Sequence, residues 1–177
     1  MRMQRKFVLL LLILSCFILQ GTVLKTLAIG SISPNLILIL VISFGFMCGK
    51  NTGLWMGFWC GLILDLLGAE LIGFYALVYM IIGFSAGCCC KLFYDDELRV
   101  PMVVTAAGDL IYGALVYGMQ LLLRGRTDFL YYTIRIIIPE MIYTVLLTVV
   151  MYKIFLKIHN KLTEQEMKER DSIWLRK

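Results

Sequence analysis

Only one histidine, His159, and three prolines occur in the 177 residues. Charge is also scarce, at 16% of residues. A soluble domain carries about 25% charged and about 45–50% apolar residues. Here 60% are hydrophobic and the mean hydropathy is +0.86. A water-soluble core of this length cannot hide that much apolar surface, so most of the chain belongs in lipid. With a single histidine, ligands for a metal are few, and no metal or other cofactor is expected. The apolar runs contain no Ser–His or Cys–His pair and no HExxH. No phosphate-cradling glycine loop follows a strand. These absences argue against a catalytic set, and no catalytic residue is assigned.

The net charge of +5 is no signature of nucleic-acid binding, because most basic residues lie at the edges of apolar runs and in one tail. Six cysteines are present: Cys16, Cys48, Cys60, Cys88, Cys89 and Cys90. All fall within or at the rim of apolar runs. They read as small apolar packing residues rather than a disulfide framework, which suits small loop-rich scaffolds in oxidising compartments. The triplet at 88–90, next to Lys91, also suggests metal binding or acylation, but packing is the simpler reading.

A helix needs about 20 mostly apolar residues to cross a bilayer. Six candidate spans appear: Phe7–Ile29, Pro34–Cys48, Gly53–Leu67, Ile72–Cys90, Pro101–Leu123 and Phe129–Leu156. The second and third are short, and "GKNTG", Gly49 to Gly53, reads as a tight turn between them. The pair is therefore expected to be a compact hairpin or partly re-entrant. The first span, behind the basic "MRMQRK", is longer than a signal-peptide core of about 7–15 residues and reads as a retained helix. The fold class is an all-α integral membrane protein, a compact bundle of about six transmembrane helices over residues 1–156. Residues 157–177 form a charged tail, expected to extend as a helix. Glu164–Lys168 and Glu166–Arg170 are favourable i,i+4 pairs there.

Six spans put both termini on one side. Thirteen of the seventeen basic residues collect on that side, and Lys25, Arg124, Arg126 and Arg135 on the other. By the excess of Lys and Arg in cytoplasmic segments, both termini are cytoplasmic and no extracytoplasmic domain is expected. The acidic run Asp95-Asp96-Glu97 reads as a solvated loop.

The stretch "GLILDLLGAELIGFYALVY", Gly61 to Tyr79, holds an aspartate in an apolar run. A carboxylate at the bilayer centre costs roughly 2.5–3.5 kcal/mol on insertion scales. Glycines recur every four residues at Gly45, Gly49, Gly53, Gly57 and Gly61, and Asp65 falls next. On a helix these share one face, and small-residue faces let helices approach closely. Gly83 and Gly87 repeat the device in the fourth span. Asp65 is thus expected to face protein. Counting residues at about 1.5 Å each, Asp65 and Arg135 both fall in the outer half, so an Asp65–Arg135 ion pair is expected, with Lys25 as rival cation. Asp109 and Glu140 lie nearer the middle, and Arg135 could serve either. Pro139, in "RIIIPE", should kink the sixth span. These residues read as a structural ion network or, more sharply, as a proton or solute path. "AAGD", Ala106 to Asp109, matches only half of the GxGD signature of intramembrane aspartyl proteases.

The segment Ser33 to Gly87 resembles the bacterial rod shape-determining MreD family. The matching features are Pro34-Asn35 opening the second span, "GLILDL" with Gly61 and Asp65, and "LIGFYAL" with Gly73. Gly83, Gly87 and, in the last span, Pro139 also match. Tyr75 and Thr144 stand where the family often shows asparagine. The resemblance implies a non-enzymatic scaffold in the bacterial cytoplasmic membrane. It implies direct binding to MreC, with MreB, RodA and a class B penicillin-binding transpeptidase reached directly or through MreC. Regulation of peptidoglycan synthesis and cell shape would follow. The competing reading is the substrate-binding S-component of an energy-coupling-factor vitamin transporter, also a small six-helix bundle. Its usual small-residue face is missing from the bulky "FVLLLLILSCFILQ" of the first span.

Overall fold

The computed structural model describes residues 3–22, 33–67, 71–89, 99–124 and 133–174. They form six α-helices: α1 (Met3–Gly21), α2 (Leu36–Cys48), α3 (Lys50–Leu66), α4 (Phe74–Cys89), α5 (Arg99–Arg124) and α6 (Ile138–Trp174). A π-helical turn, Thr133–Ile137, leads into α6. No strand occurs among the described residues. Lys25, Cys90, Lys91, Asp95-Asp96-Glu97 and Arg126 lie outside them.

The axis of the bundle is α2. Its sequence is apolar on every side, the pattern of a helix enclosed by protein, and each residue from Leu36 to Phe46 is buried. All five other helices touch it. Thirteen residues make a rod of about 20 Å, well short of the roughly 30 Å hydrocarbon layer. Enclosure removes the need to match that layer, and so a short apolar run suffices here.

The periphery differs. Arg99–Met119 in α5 and Thr133–Glu164, through the π-turn into α6, are long and apolar enough to cross a membrane. Only 33% and 17% of their most apolar windows are buried within the protein, so most of that surface faces outward. Phe7–Gly21, Leu36–Cys48 and Phe74–Cys89 are shorter apolar helices. The charged segment from Lys157 continues α6 without a break as far as Trp174.

The expected Gly49–Gly53 turn shrinks to one residue. Gly49 has φ +88°, a left-handed conformation that glycine adopts without a Cβ penalty, and α3 begins at Lys50. Gly53 therefore lies inside α3, where it serves packing instead of turning. Pro139 also finds an easy place, as the second residue of α6. The π-turn directly before it, Thr133–Ile137, absorbs the interruption that its missing N–H makes in the continuous helical run.

Candidate functional site: a glycine seam and a buried polar cluster

The most extensive helix contact is between α3 and α4. Its register follows from the glycines. A Cβ added at Gly53 would strike the Gly83 backbone; at Gly57, that of Tyr79; at Gly61, that of Tyr75 and Ala76. At Gly87 it would strike Lys50. Numbers rise along α3 as they fall along α4, so the helices run antiparallel with backbones in direct contact. Gly45 of α2 joins this seam beside Gly83 and Gly53.

Asp65 is the next position on the same face, and there α4 begins. Its Oδ1 accepts from the Tyr75 N–H at 3.0 Å and its Oδ2 from the Ala76 N–H at 2.9 Å. The first amides of a helix have no partner within it, and the helix dipole places partial positive charge at them. A serine or aspartate usually supplies the cap from the residue before the helix. Here that residue is Gly73, with φ +96°, which has no side chain to offer, and the neighbouring helix supplies the carboxylate. The expected Asp65–Arg135 ion pair is thereby corrected. Both oxygens of Asp65, which is 3% exposed, are held by backbone amides, while Arg135 is exposed on the π-turn. A helix N-terminus does the work that was assigned to a cation.

A second polar group gathers at the Asn35 end of α2. Pro34 and Asn35 are both buried there. Asn35 Oδ1 accepts from the Leu38 N–H at 3.1 Å, capping α2, and Gln20 Oε1 accepts from the Ile37 N–H at 3.0 Å. The Asn35 N–H donates to Thr144 Oγ1 at 3.2 Å, and its Nδ2 donates to the Tyr79 hydroxyl at 2.8 Å. The Tyr112 ring packs 5.4 Å from that of Tyr79 and 6.3 Å from that of Tyr75. Asp109, three residues before Tyr112 on α5, comes beside Thr144. Glu140, one turn before Thr144 on α6, lies within electrostatic reach of Asp109 and Tyr112.

Asp109 is 2% exposed, and neither carboxylate oxygen has a hydrogen-bond donor among the described residues. Thr144 is its nearest candidate, but that hydroxyl donates to the Glu140 carbonyl at 2.8 Å. Glu140 and Pro139 are half-buried. The structure thus brings Asn35, Asp109 and Glu140 around Thr144, and keeps Asp65 with the glycine seam. Gln20, Tyr79 and Tyr112 were not singled out from sequence. Each had a faint signal: a polar tip in an otherwise apolar run, with Tyr112 one turn beyond Asp109.

A Cys–His contact, which the apolar runs did not offer, forms across the fold. Cys48 Sγ lies 3.5 Å from His159 Nδ1. The cause is an in-register parallel pairing of α2 and α6. Asn35 meets Thr144, the Phe44 and Phe155 rings lie 5.9 Å apart, and Cys48 meets His159. No cluster of three or more His, Cys, Asp or Glu suited to a metal occurs among the described residues.

A family model described as rod shape-determining protein MreD matches residues 1–162. Comparison with curated proteins and with solved structures returns no match.

Proposed function

Because the chain belongs to the MreD rod shape-determining family, and so to the membrane components of the machinery that sets cell shape, we propose that it is a non-enzymatic, multi-pass scaffold of the bacterial cytoplasmic membrane. It binds MreC directly within the bilayer. Through MreC or by its own contacts it links cytoplasmic MreB filaments to RodA and a class B penicillin-binding transpeptidase. Both termini face the cytoplasm. Residues 1–156 form the spanning bundle, and the tail from residue 157 reaches toward the filaments.

The family match over residues 1–162 carries this reading. The outward apolar faces of α5 and α6 support it, since contacts made in lipid are the means left to a bundle built this way. The Asn35 end of α2 also favours a scaffold over a vitamin-binding S-component. Asn35 is bonded to both Tyr79 and Thr144 there, which suits a packed bundle better than an open ligand site. An aspartyl protease needs two carboxylates that share a substrate. Asp65 is committed to the α4 amides, whereas Asp109 has Thr144 and Glu140 for neighbours.

The test is detergent extraction of tagged protein from its native membranes, affinity capture, and mass spectrometry. Recovery of MreC with RodA and the transpeptidase is the expected result. Recovery of a transmembrane coupling subunit with two ATPases would overturn the scaffold reading.

A further inference from the structure

The two helices that share the glycine seam are short. α3 has 17 residues and α4 has 16, which at about 1.5 Å each makes rods of about 25 and 24 Å. The hydrocarbon layer of a typical bilayer is about 30 Å thick. Enclosure frees α2 from matching that layer, but α3 is not enclosed. Its seam face carries Gly53, Gly57, Gly61 and Asp65, all buried. Its opposite face carries Trp55, Trp59 and Leu66, all exposed. α4 likewise turns Leu77, Ile81 and Phe84 outward.

Neither rod gains length at its ends. Irregular backbone facing lipid has no partners for its polar groups and is not tolerated inside the hydrocarbon. At one end the chain turns at Gly49 into Lys50 and Asn51, both exposed. At the other end Leu71 and Ile72 are exposed and outside any helix. The two rods also share their ends. Gly87 of α4 meets Lys50, and Asp65 of α3 caps the first turn of α4. Tilting the pair would only shorten its reach across the membrane. α5 differs, because its 26 residues from Arg99 to Arg124 make about 39 Å. That is ample for an ordinary bilayer. A span shorter than the surrounding hydrocarbon thins the bilayer beside it. We infer that the outward wall of α3 and α4 holds a patch of bilayer about 5 Å thinner than an ordinary layer, and that it gathers phospholipids with short acyl chains there. The α5 and α6 side keeps lipid of ordinary length.

The inference rests on the multi-pass reading of the proposed function, and it can fail separately from it. The chain has three tryptophans, and two of them, Trp55 and Trp59, lie on this wall. Full-length Trp174→Phe protein is reconstituted in mixed vesicles of dimyristoleoyl and dioleoyl phosphatidylcholine, with one or the other lipid brominated. Bromine quenches the indoles it touches, so the two experiments report which lipid lies against Trp55 and Trp59. The short lipid is expected there at roughly two to three times its bulk share. A second protein combines Trp55→Phe, Trp59→Phe and Trp174→Phe with Leu146→Trp. Position 146 is 62% exposed on α6, and the short lipid should show no excess at it.

A bulk ratio of the two lipids at Trp55 and Trp59 would overturn the inference. An equal short-lipid excess at position 146 would also overturn it, because the preference would then belong to the whole molecule and not to this wall. If neither lipid quenches Trp55 and Trp59 while the Leu146→Trp protein is quenched, a second copy of the chain covers the wall, and the lipid is excluded. Capture of MreC and RodA in any of these cases leaves the scaffold reading standing. Absence of quenching in both proteins would remove the multi-pass reading along with the inference.

Discussion

Asp65 caps Ala76: a carboxylate near the end of α3 closes the first turn of α4, at 2.9 Å. A helix inside a membrane cannot turn to water for its terminal amides. The cap therefore holds the two helices at a fixed height relative to each other. Asp65→Ala leaves one buried and one part-buried amide without an acceptor and should destabilise the protein by roughly 1–3 kcal/mol. Asp65→Asn keeps one good acceptor and should cost about half as much. Reversible unfolding in mixed detergent, followed by circular dichroism, gives the order Asp, Asn, Ala. An Asn variant as unstable as the Ala variant would show that the charge, not the acceptor, matters.

The glycine seam makes a second, opposite pair of expectations. A methyl at Gly57 would enter the Tyr79 backbone, which cannot move aside as a side chain can. Gly57→Ala should push α3 from α4 and lower stability by roughly 1–3 kcal/mol, the range of overpacked cores. Gly118, inside α5, has nothing within 4 Å of an added Cβ. There the same substitution only improves helix propensity, by up to about 1 kcal/mol. Thermal unfolding of the two variants side by side should give shifts of opposite sign.

The contrast between seam and cluster shows what sequence could reveal. Spacing of four placed Gly53, Gly57, Gly61 and Asp65 on one face, and this needed only helical geometry. Depth counting then sought a side-chain cation for Asp65 and passed over backbone amides, which carry no letter in the sequence. The polar cluster was hidden for another reason. Asn35 and Thr144 are separated by 109 positions and Cys48 and His159 by 111. No local period encodes the alignment of α2 with α6. It exists because α2 is wrapped by every other helix, an arrangement that follows from packing of the whole bundle.

The Asn35 cluster should behave as one unit. Tyr79→Phe removes the hydroxyl that accepts from Asn35 Nδ2 and leaves a buried donor unmet. A loss of roughly 1–3 kcal/mol is expected. Asn35→Ala loses the α2 cap as well, and capping residues contribute about 0.5–2 kcal/mol. Because both changes break the same bond, the double variant should cost less than the two single losses together. Unfolding of the four proteins of this double-mutant cycle measures the coupling, and strict additivity would show that the bond contributes nothing of its own.

Cys48 and His159 supply the last expectation. The thiolate is the reactive form of cysteine, and a neighbouring imidazole favours it by taking the proton. Cys48 is half-buried beside His159, while Cys16 and Cys60 are 3% and 1% exposed. In folded protein treated with N-ethylmaleimide, peptide mass spectrometry should find Cys48 modified well before Cys16 or Cys60. Those two should react only on unfolding. His159→Phe preserves a ring in the same contact but cannot take a proton, so Cys48 should then react more slowly while exposed Cys88 keeps its rate. If Cys48 reacts at an unchanged rate in that variant, exposure alone governs it and the contact with His159 is only packing between α2 and α6.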